Sequence, residues 1–477
     1  MTEPIIIQGG MGAAVSDWFL ANTVSRKGQL GVVSGTALDS VLARRLQCGD
    51  PGGHLKRALE NFPVPEIAER IYNRYFVKDG KSDNEQFKGT PAPSVKPNTL
   101  FHELTVVANF TEVFLAKEGH DNPVGINYLE KIQLPNLASI YGAMLAGVDY
   151  ILMGAGIPRE IPGILDNFVN HEEATMHIDV EDHGDRTKVP MTFNPTEIFG
   201  RIKDSLSRPR FIPIISSAIL AMTMVKRATG SVEGFIIEGP SAGGHNAPPR
   251  GSSELDANGE PVWGDKDFVD LEKIKKLGLP FWLAGSYGEP HKIEEALEQG
   301  ATGVQLGTPF AFCRESGLRA DIKEWVIRKI LSDEIETFTD PKASPTGFPF
   351  KVVELEGTLS SEEEYQKRPR ICDLSYLRTP YKREDGTIGY RCPAEPEKDF
   401  LRKGGEEQEL HGRKCLCNGL MANIGLGQFQ RSGYFEKPLV TAGKDLSVVK
   451  QFIKPGNYSY SATDVIDVLC PQLAEKT

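Results

Sequence analysis

The sequence of 477 residues has no apolar run long enough to cross a membrane and no excess of basic residues. A spanning helix needs roughly 20 apolar residues. Nucleic-acid binding depends on concentrated Lys and Arg, whereas this chain carries a formal net charge of −11 at pH 7. The first residues also lack the basic stretch of a signal peptide. We therefore expect a cytoplasmic protein that binds neither membranes nor nucleic acids.

Cysteine is scarce as well, and its odd number of seven does not indicate a disulfide framework. Four of the seven lie close together late in the chain: Cys372, Cys392, Cys415 and Cys417. Thiolates suit zinc or an iron–sulfur centre, but this spacing lacks the paired C-x2-C ligands of typical sites. Reduced structural thiols and a metal centre are therefore both open, and no metal is assigned to the main site.

Short apolar runs alternate with helical patterns over the first three hundred residues, which predicts βαβ units on a parallel sheet. Eight runs read as strands buried on both faces. They are residues 5–8, 30–34, 123–127, 149–154, 210–216, 234–239, 280–285 and 302–307. Eight strands with intervening helices predict an α/β chain of the (β/α)8 TIM-barrel type. An open, doubly wound sheet is the alternative.

Two interruptions and a change of rhythm predict the domain organisation. Residues 1–334 form the barrel, with a long insertion at about 49–122 after strand two and a rim hairpin at about 170–209. Residues 335–477 are punctuated by Pro and Gly, which indicates an irregular C-terminal extension or a small subdomain.

The last two strands end in loops that can bind an anion. Gly285 and Ser286 follow strand seven, and Gly307 and Thr308 follow strand eight. In TIM barrels these two loops commonly hold phosphate through backbone N–H groups. The alternative is that the glycines only form tight turns.

The first and third strands end in residues that suit a flat ring. Gly10, Met11 and Gly12 would let the backbone and a thioether lie against a planar ligand. Asn127 can both donate to and accept from the edge of a heteroaromatic ring. A glycine-rich turn with a core Met, and an Asn that caps a loop, are the structural alternatives.

The sixth strand ends in the sequence EGPSAGGH. Gly243 and Gly244 would allow the backbone to approach a cofactor and would deliver His245 over it. Histidine ordinarily titrates near neutral pH, so His245 is the candidate catalytic acid or base. The alternative is a structural histidine that bonds a loop carbonyl.

The pieces PIIIQGGMG, VGIN, EGPSAGGH, LAGSYG and GATGVQLGTPF together resemble the nitronate monooxygenase (2-nitropropane dioxygenase) family of FMN-dependent TIM barrels. Flavin enoyl-ACP reductases are relatives of that family. The resemblance covers roughly residues 4–315 and implies an FMN cofactor. It places Met11 and its glycines against the isoalloxazine, Asn127 on the flavin, and Gly243 by the ribityl chain. The phosphate would be held by Ser286, Gln305, Gly307 and Thr308.

The chain departs from this family at several places. Where the family usually has AGGI after strand seven, this chain has AGSY. Glu238 stands where the family often has Gln, which puts a negative group beside the flavin unless the acid is protonated or paired. The insertion and the C-terminal extension exceed those of compact members, so the substrate pocket is expected to differ.

The resemblance implies an FMN-dependent oxidoreductase that oxidises a nitronate or nitroalkane with O2. One alternative is an NAD(P)H-dependent enoyl-thioester reductase, which would need a basic docking patch such as residues 367–370 or 412–414. Another is a non-catalytic flavin-binding scaffold. The substrate is thus a small molecule or a thioester, and a homodimer is the expected assembly. His177 and His183 on the rim indicate a solvated loop more than a metal site.

Overall fold

The structure is a computed structural model that describes residues 3–182, 184–202, 204–251 and 254–471. Its strands are β1 Ile6–Gln8, β2 Leu30–Ser34, β3 Val124–Leu129, β4 Tyr150–Gly154, β5 Ala174–Asp182, β6 Asp185–Phe193, β7 Arg210–Ile215, β8 Phe235–Glu238, β9 Phe281–Ala284, β10 Gly303–Leu306, β11 Thr337–Asp340, β12 Phe350–Val353, β13 Thr379–Lys382 and β14 Ile388–Arg391. Within these ranges, eight parallel strands close into a barrel in the order β1, β10, β9, β8, β7, β4, β3, β2.

The helices up to residue 331 are α1 Trp18–Arg26, α2 Leu38–Gln47, α3 His54–Leu59, α4 Pro65–Tyr75, α5 Thr99–Lys117, α6 Asn136–Leu145, α7 Ile161–Val169, α8 Pro195–Phe199, α9 Ala218–Arg227, α10 Leu271–Lys275, α11 Pro290–Glu298, α12 Thr308–Ala311 and α13 Ala320–Leu331. Those that follow are α14 Glu362–Lys367, α15 Glu397–Arg402, α16 Leu416–Asn423 and α17 Ala462–Leu469. Across the described part of the chain, no helix has the length and apolar character to span a membrane.

The barrel is buried inside and outside, as its near-continuous apolar strands predict. The side chains of Ile7, Leu30 and Trp282 pack together in its interior. The opposite faces of the strands pack against the surrounding helices in a second, larger core. All eight predicted strands are found in the predicted places. The TIM barrel is therefore confirmed, and the open doubly wound sheet is wrong because β1 pairs with both β2 and β10.

The segment between β2 and β3 contains four helices, α2 to α5, joined by loops. α4 spans Pro65–Tyr75, and the stretch at 78–97 has no helix or strand. α5 belongs to the helical layer around the barrel, because most of its 19 residues are buried and it packs against α1, α2 and α6. The Asn98 side chain begins this helix by accepting a hydrogen bond from the Phe101 N–H.

The rim hairpin and the C-terminal segment share one sheet. β5 and β6 pair antiparallel, and the sheet has the order β14, β13, β5, β6. β13 joins in parallel, with Tyr381 opposite Glu181. The segment from residue 335 onward therefore extends a sheet that begins in the barrel half.

The C-terminal segment also packs directly on the barrel. Leu439, Val449 and Phe452 belong to the same buried cluster as the barrel helices. The Tyr460 hydroxyl donates to the Pro309 carbonyl at 2.7 Å, just after β10. These contacts bring residues 335–471 to the carboxyl ends of the barrel strands.

Candidate active site

A cavity opens at the carboxyl ends of the barrel strands, where β1, β3, β8, β9 and β10 finish. It spans about 1870 Å³, including space open to solvent. All thirteen residues predicted for the site line it: Gly10, Met11, Gly12, Asn127, Glu238, Gly243, Gly244, His245, Gly285, Ser286, Gln305, Gly307 and Thr308. The structure thus brings together side chains that lie up to three hundred residues apart in sequence.

The loop after β1 lies tightly against β3. A Cβ at Gly10 would be 2.5 Å from the Cβ of Asn127, so a larger residue would displace the asparagine. The Met11 N–H donates to the Ser16 hydroxyl at 3.0 Å, which fixes the turn. Glycine is therefore required here by the close approach of Asn127.

Two carboxamides of the cavity lack a hydrogen-bond partner at their oxygens. Asn127 Oδ1 and Gln305 Oε1 are both buried and unpaired in the described structure. Leaving a buried acceptor unpaired costs roughly 1–3 kcal/mol. Because both atoms belong to residues that line the cavity, a ligand with N–H or O–H donors would satisfy them.

The loops after β9 and β10 offer free backbone donors. The N–H groups of Ser286 and Thr308 find no acceptor among the described residues. Gly285 and Ser286 have φ of +106° and +58°, so the serine adopts the left-handed conformation that glycine usually provides. The AGSY sequence therefore still forms a tight turn with its donors open to the cavity.

The C-terminal segment contacts two of the predicted cofactor residues. The Gly443 N–H donates to Thr308 Oγ1 at 2.9 Å. A Cβ at Gly243 would lie 2.9 Å from the carbonyl carbon of Ala442. The glycine at 243 is therefore needed for the approach of this segment, which the sequence did not predict.

His245 is neutral in this structure. Its Nε2 lies 2.7 Å from the hydroxyl of Ser344, while Nδ1 has no hydrogen-bond partner among the described residues. Burial, and secondarily the positive charge of Lys131, lower the pKa of His245 well below its usual value. The prediction that this histidine titrates near neutral pH is corrected, because the ring is desolvated.

Glu238 and Lys131 bring two ionisable groups to the same place. Burial raises the pKa of Glu238 to about 7, and the charges of Lys351 and Lys131 oppose that rise. Burial lowers the pKa of Lys131 to about 7, against the effects of Glu238 and Glu130. Lys131 is not among the residues predicted for the site, although its position directly after the third barrel strand was an available signal.

The loop that carries His245 is braced by a buried lysine. Lys351 is 1% exposed, and its Nζ donates to the Pro240 carbonyl at 2.8 Å and to Asn246 Oδ1 at 2.7 Å. A third bond goes to Thr339 Oγ1 at 3.2 Å. The Lys351 N–H also donates to the Gly244 carbonyl at 2.9 Å. The loop geometry thus depends on a residue more than one hundred positions away.

One wall of the cavity is apolar and comes from the C-terminal segment. It is formed by Phe350, Leu374, Leu377, Leu416 and Leu420. Tyr376 stands in the same wall, and its hydroxyl donates to Asp39 of α2. The predicted difference in substrate pocket therefore has a physical basis in these side chains.

The late cysteines lie near one another beside this wall. Cys372, Cys392, Cys415 and Cys417 surround a small cavity and are free thiols. Burial raises the pKa of Cys415 to about 11. In the described ranges, no three Cys, His, Asp or Glu residues are grouped so as to hold a metal ion.

Of the two rim histidines, the structure describes His177, which does not join the site. His177 lies on the hairpin, in β5, and its Nδ1 is 2.6 Å from Glu160 Oε1. It is not among the residues that line the cavity. His183 lies outside the described residues.

Comparison with known proteins gives one family. Residues 177–342 match the family model named nitronate monooxygenase. A probable nitronate monooxygenase of Staphylococcus saprophyticus subsp. saprophyticus is 27% identical over 150 residues, which are 31% of this chain and 39% of that protein. The chain therefore matches about two fifths of this curated relative's length. These matches confirm the resemblance predicted from the motifs and support a flavin as the class of cofactor.

Two solved structures are similar over almost the whole chain. FabK from Thermotoga maritima aligns with 100% of this chain and 94% of its own, at 15% identity and a TM-score of 0.47. Nitroalkane oxidase from Streptomyces ansochromogenes aligns with 99% of this chain and 96% of its own, at 16% identity and a TM-score of 0.46. Because both scores are below 0.5, the fold rests on the closed barrel itself.

Proposed function

We propose that this relative of the nitronate monooxygenases is an FMN-dependent oxidoreductase that oxidises a nitronate or nitroalkane with O2. The observation that carries the proposal is the pair of unpaired carboxamide oxygens, on Asn127 and Gln305, beside Met11 in the barrel mouth. A flavin has the flat ring that the Met11 loop suits, and it has N–H and hydroxyl donors for both oxygens. The site residues therefore fit FMN.

The phosphate end of FMN would lie on the loops after β9 and β10. The free N–H groups of Ser286 and Thr308 are suitable donors, because backbone donors of this kind bind phosphate without a basic side chain. Gly285 and Gly307 leave room for its approach. We assign Gly243 and Gly244 to the ribityl chain in the middle of the cofactor, beside residues 441–443 of the C-terminal segment.

Bound FMN would supply the electron-accepting ring. His245 would accept the proton of the reacting carbon at Nδ1, because Nε2 is already engaged by Ser344. Its lowered pKa leaves the imidazole unprotonated and able to accept a proton, and it also makes His245 a weaker base than an ordinary histidine. The apolar wall would exclude water from the reacting group.

A second candidate is an NAD(P)H-dependent enoyl-thioester reductase. The observation in its favour is the leucine-rich wall from the C-terminal segment, which suits an acyl chain. Against it, one basic residue of each predicted docking patch is buried, since Arg368 and Lys414 are 7% and 6% exposed. The nitronate reaction therefore leads, and NAD(P)H is the reductant only in the alternative.

An absorbance spectrum of the purified protein, with anaerobic additions, tests these functions. We expect oxidised-flavin bands that a nitronate bleaches and that air restores. Bleaching by NADPH, with recovery on adding an enoyl thioester, would select the reductase instead. A bound flavin that neither addition changes would leave a scaffold, and a protein that takes up no FMN would overturn the proposal.

The matched variants are His245→Asn and His291→Asn. His245→Asn keeps the flavin bands but should slow nitroalkane oxidation at least tenfold, because the base is lost. His291 lies on the exposed surface of α11, so its substitution should leave both spectrum and rate unchanged. Equal rates in both variants would remove His245 from the reaction.

A further inference from the structure

Lys131 places an unpaired ammonium group behind the cavity. It lies in the loop after β3, between Leu129 and Ile132, which both line the cavity. Its Nζ is buried and has no hydrogen-bond partner in the described structure. Its Nζ lies over the ring of Phe348, 4.6 Å from the ring centroid. A buried ammonium in such a position is costly and therefore calls for an explanation.

Glu238 is the complementary group at the end of β8. It lines the cavity, and its carboxyl makes no hydrogen bond and no ion pair within the described residues. Lys351 is close enough to influence it, but the ammonium of Lys351 is already fixed by three acceptors. Lys131 is therefore the less committed positive charge near this carboxyl.

The two groups affect each other without touching. The charge of Lys131 lowers the pKa of Glu238, and the charge of Glu238 raises the pKa of Lys131. Burial outweighs both effects and moves each pKa toward neutrality. The other charged or titratable groups that face this couple are Glu130 beside Lys131, Lys351 beside Glu238, and neutral His245.

We propose that Lys131 is a positioning residue whose ammonium, together with the Glu238 carboxyl, sets the charge beside the bound flavin and makes flavin reduction depend on pH around neutrality. The proposal rests on the proposed function only in requiring bound FMN. It also explains how the chain tolerates Glu at a position where the related family often has Gln.

The charge states follow from the direction of each shift. Below about pH 7, Lys131 is charged and Glu238 is neutral, so the couple is positive. Above that pH, Lys131 is neutral and Glu238 is charged, so the couple is negative. A positive charge favours electrons on a nearby ring and a negative charge opposes them. Flavin reduction should therefore become harder as the pH rises through neutrality, by more than the uptake of protons on reduction alone requires.

Reduction potentials of the bound FMN, measured against reference dyes from pH 6 to pH 9, test this couple. In Lys131→Met the flavin should be harder to reduce than in the wild type at pH 6, and the two should converge at pH 9. In Glu238→Gln the pattern reverses: the flavin should be easier to reduce at pH 9 and unchanged at pH 6. These opposite pH windows distinguish charge from a general structural disturbance.

Two further variants complete the design. Lys131→Arg keeps its positive charge at every pH. The flavin of this variant should therefore be easier to reduce than that of the wild type at pH 9. Lys188→Met removes an exposed lysine that pairs with Asp179 on the rim hairpin, and it should leave the potential unchanged. Lys131→Met should also be at least as stable to heat as the wild type, because it removes an unpaired buried charge.

The outcomes separate the two proposals. FMN could bind while Lys131→Met and Glu238→Gln shift its reduction potential equally at every pH, or not at all. In that case the proposed role of Lys131 and Glu238 is wrong and the proposed function stands. If the protein binds no FMN, both proposals fall together. A variant that loses stability along with its pH dependence would also count against the couple, since a structural role for Lys131 would then explain the result.

Discussion

The barrel and the C-terminal segment that covers its mouth are stabilised in different ways. The barrel strands are almost wholly buried and apolar, so their stability comes from packing on both faces. The segment from residue 335 onward has short strands and long loops, and buried charged groups fix them. Arg368 and Glu436 form an ion pair at 2.7 Å with side-chain exposures of 4% and 0%. A region built in this way depends on a few specific contacts.

This difference has a functional consequence. The barrel supplies the loops that we propose to bind the cofactor, and their sequences are the parts that resemble a known family. The C-terminal segment supplies the apolar wall, the Ser344 partner of His245 and the lysine that braces the His245 loop. We therefore infer that binding the cofactor belongs to the barrel, whereas substrate choice belongs to the segment.

The largest expected effect comes from breaking the buried ion pair. Arg368→Met would leave the Glu436 carboxylate buried with only neutral partners such as Asn418 and Gln430. Removing one member of a buried pair costs about 3–5 kcal/mol. We expect the C-terminal segment to become sensitive to limited proteolysis while the barrel keeps its circular dichroism.

Arg402→Met is the control for this experiment. Arg402 pairs with Asp399 on the surface, with a side-chain exposure of 75%, so its loss should leave proteolysis unchanged. A single cooperative transition of barrel and segment in Arg368→Met would contradict the separation of the two regions.

A smaller effect is expected from Lys351→Met, which breaks the link between the regions. The change leaves Pro240, Asn246 and Thr339 without their shared donor. Loss of the Lys351 ammonium should lower the free energy of unfolding by about 2–4 kcal/mol, because charge-assisted hydrogen bonds in the interior are lost. We also expect faster release of FMN on dilution, measured by the return of free-flavin fluorescence. The exposed Lys398, in α15, is the matched lysine, and Lys398→Met should release FMN at the wild-type rate.

How far the sequence predicted each region follows from the same contrast. Strands such as β2 and β10 are visible locally, as apolar runs between turn residues, and glycine pairs mark the site loops that follow such strands. Arg368 and Lys351 look like ordinary surface residues in the sequence, because nothing local shows that Glu436 or Asn246 will meet them. Lys131 was missed for the same reason: its burial depends on Phe348, more than two hundred positions away.

Asp39 offers a third test, at a contact between the regions. This buried carboxyl of α2 accepts from Tyr376 of the segment, and burial raises its pKa from 3.8 to about 6. The unfolded chain loses the proton first, so the contribution of Asp39 to stability is greatest below pH 3.8 and declines up to about pH 6. Asp39→Asn should remove this decline, which amounts to about 3 kcal/mol, and should be as stable as the wild type or more so at pH 8.

Urea unfolding at pH 4.5 and pH 8 measures this effect. The difference in free energy of unfolding between variant and wild type should move in favour of the variant as the pH rises. A difference that stays constant would mean that Asp39 is not titrating in the folded protein. Asp399→Asn, at an exposed position in α15, serves as the control.

The smallest effect is expected inside the barrel, where one residue departs from its local preference. Ser286 holds a φ of +58°, a conformation that costs a non-glycine residue roughly 1 kcal/mol. Ser286→Gly should therefore raise the free energy of unfolding by up to about 1 kcal/mol, less the entropy that glycine gains in the unfolded chain. Because the N–H at this position is retained, FMN affinity should change less than threefold in a fluorescence titration. A much larger loss of affinity would show that the Ser286 hydroxyl, and not only its backbone, holds the phosphate. Gly285→Ala is the opposing variant, since its φ is +106° and its Cβ would lie 2.8 Å from Ser241 Oγ; it should lose both stability and FMN.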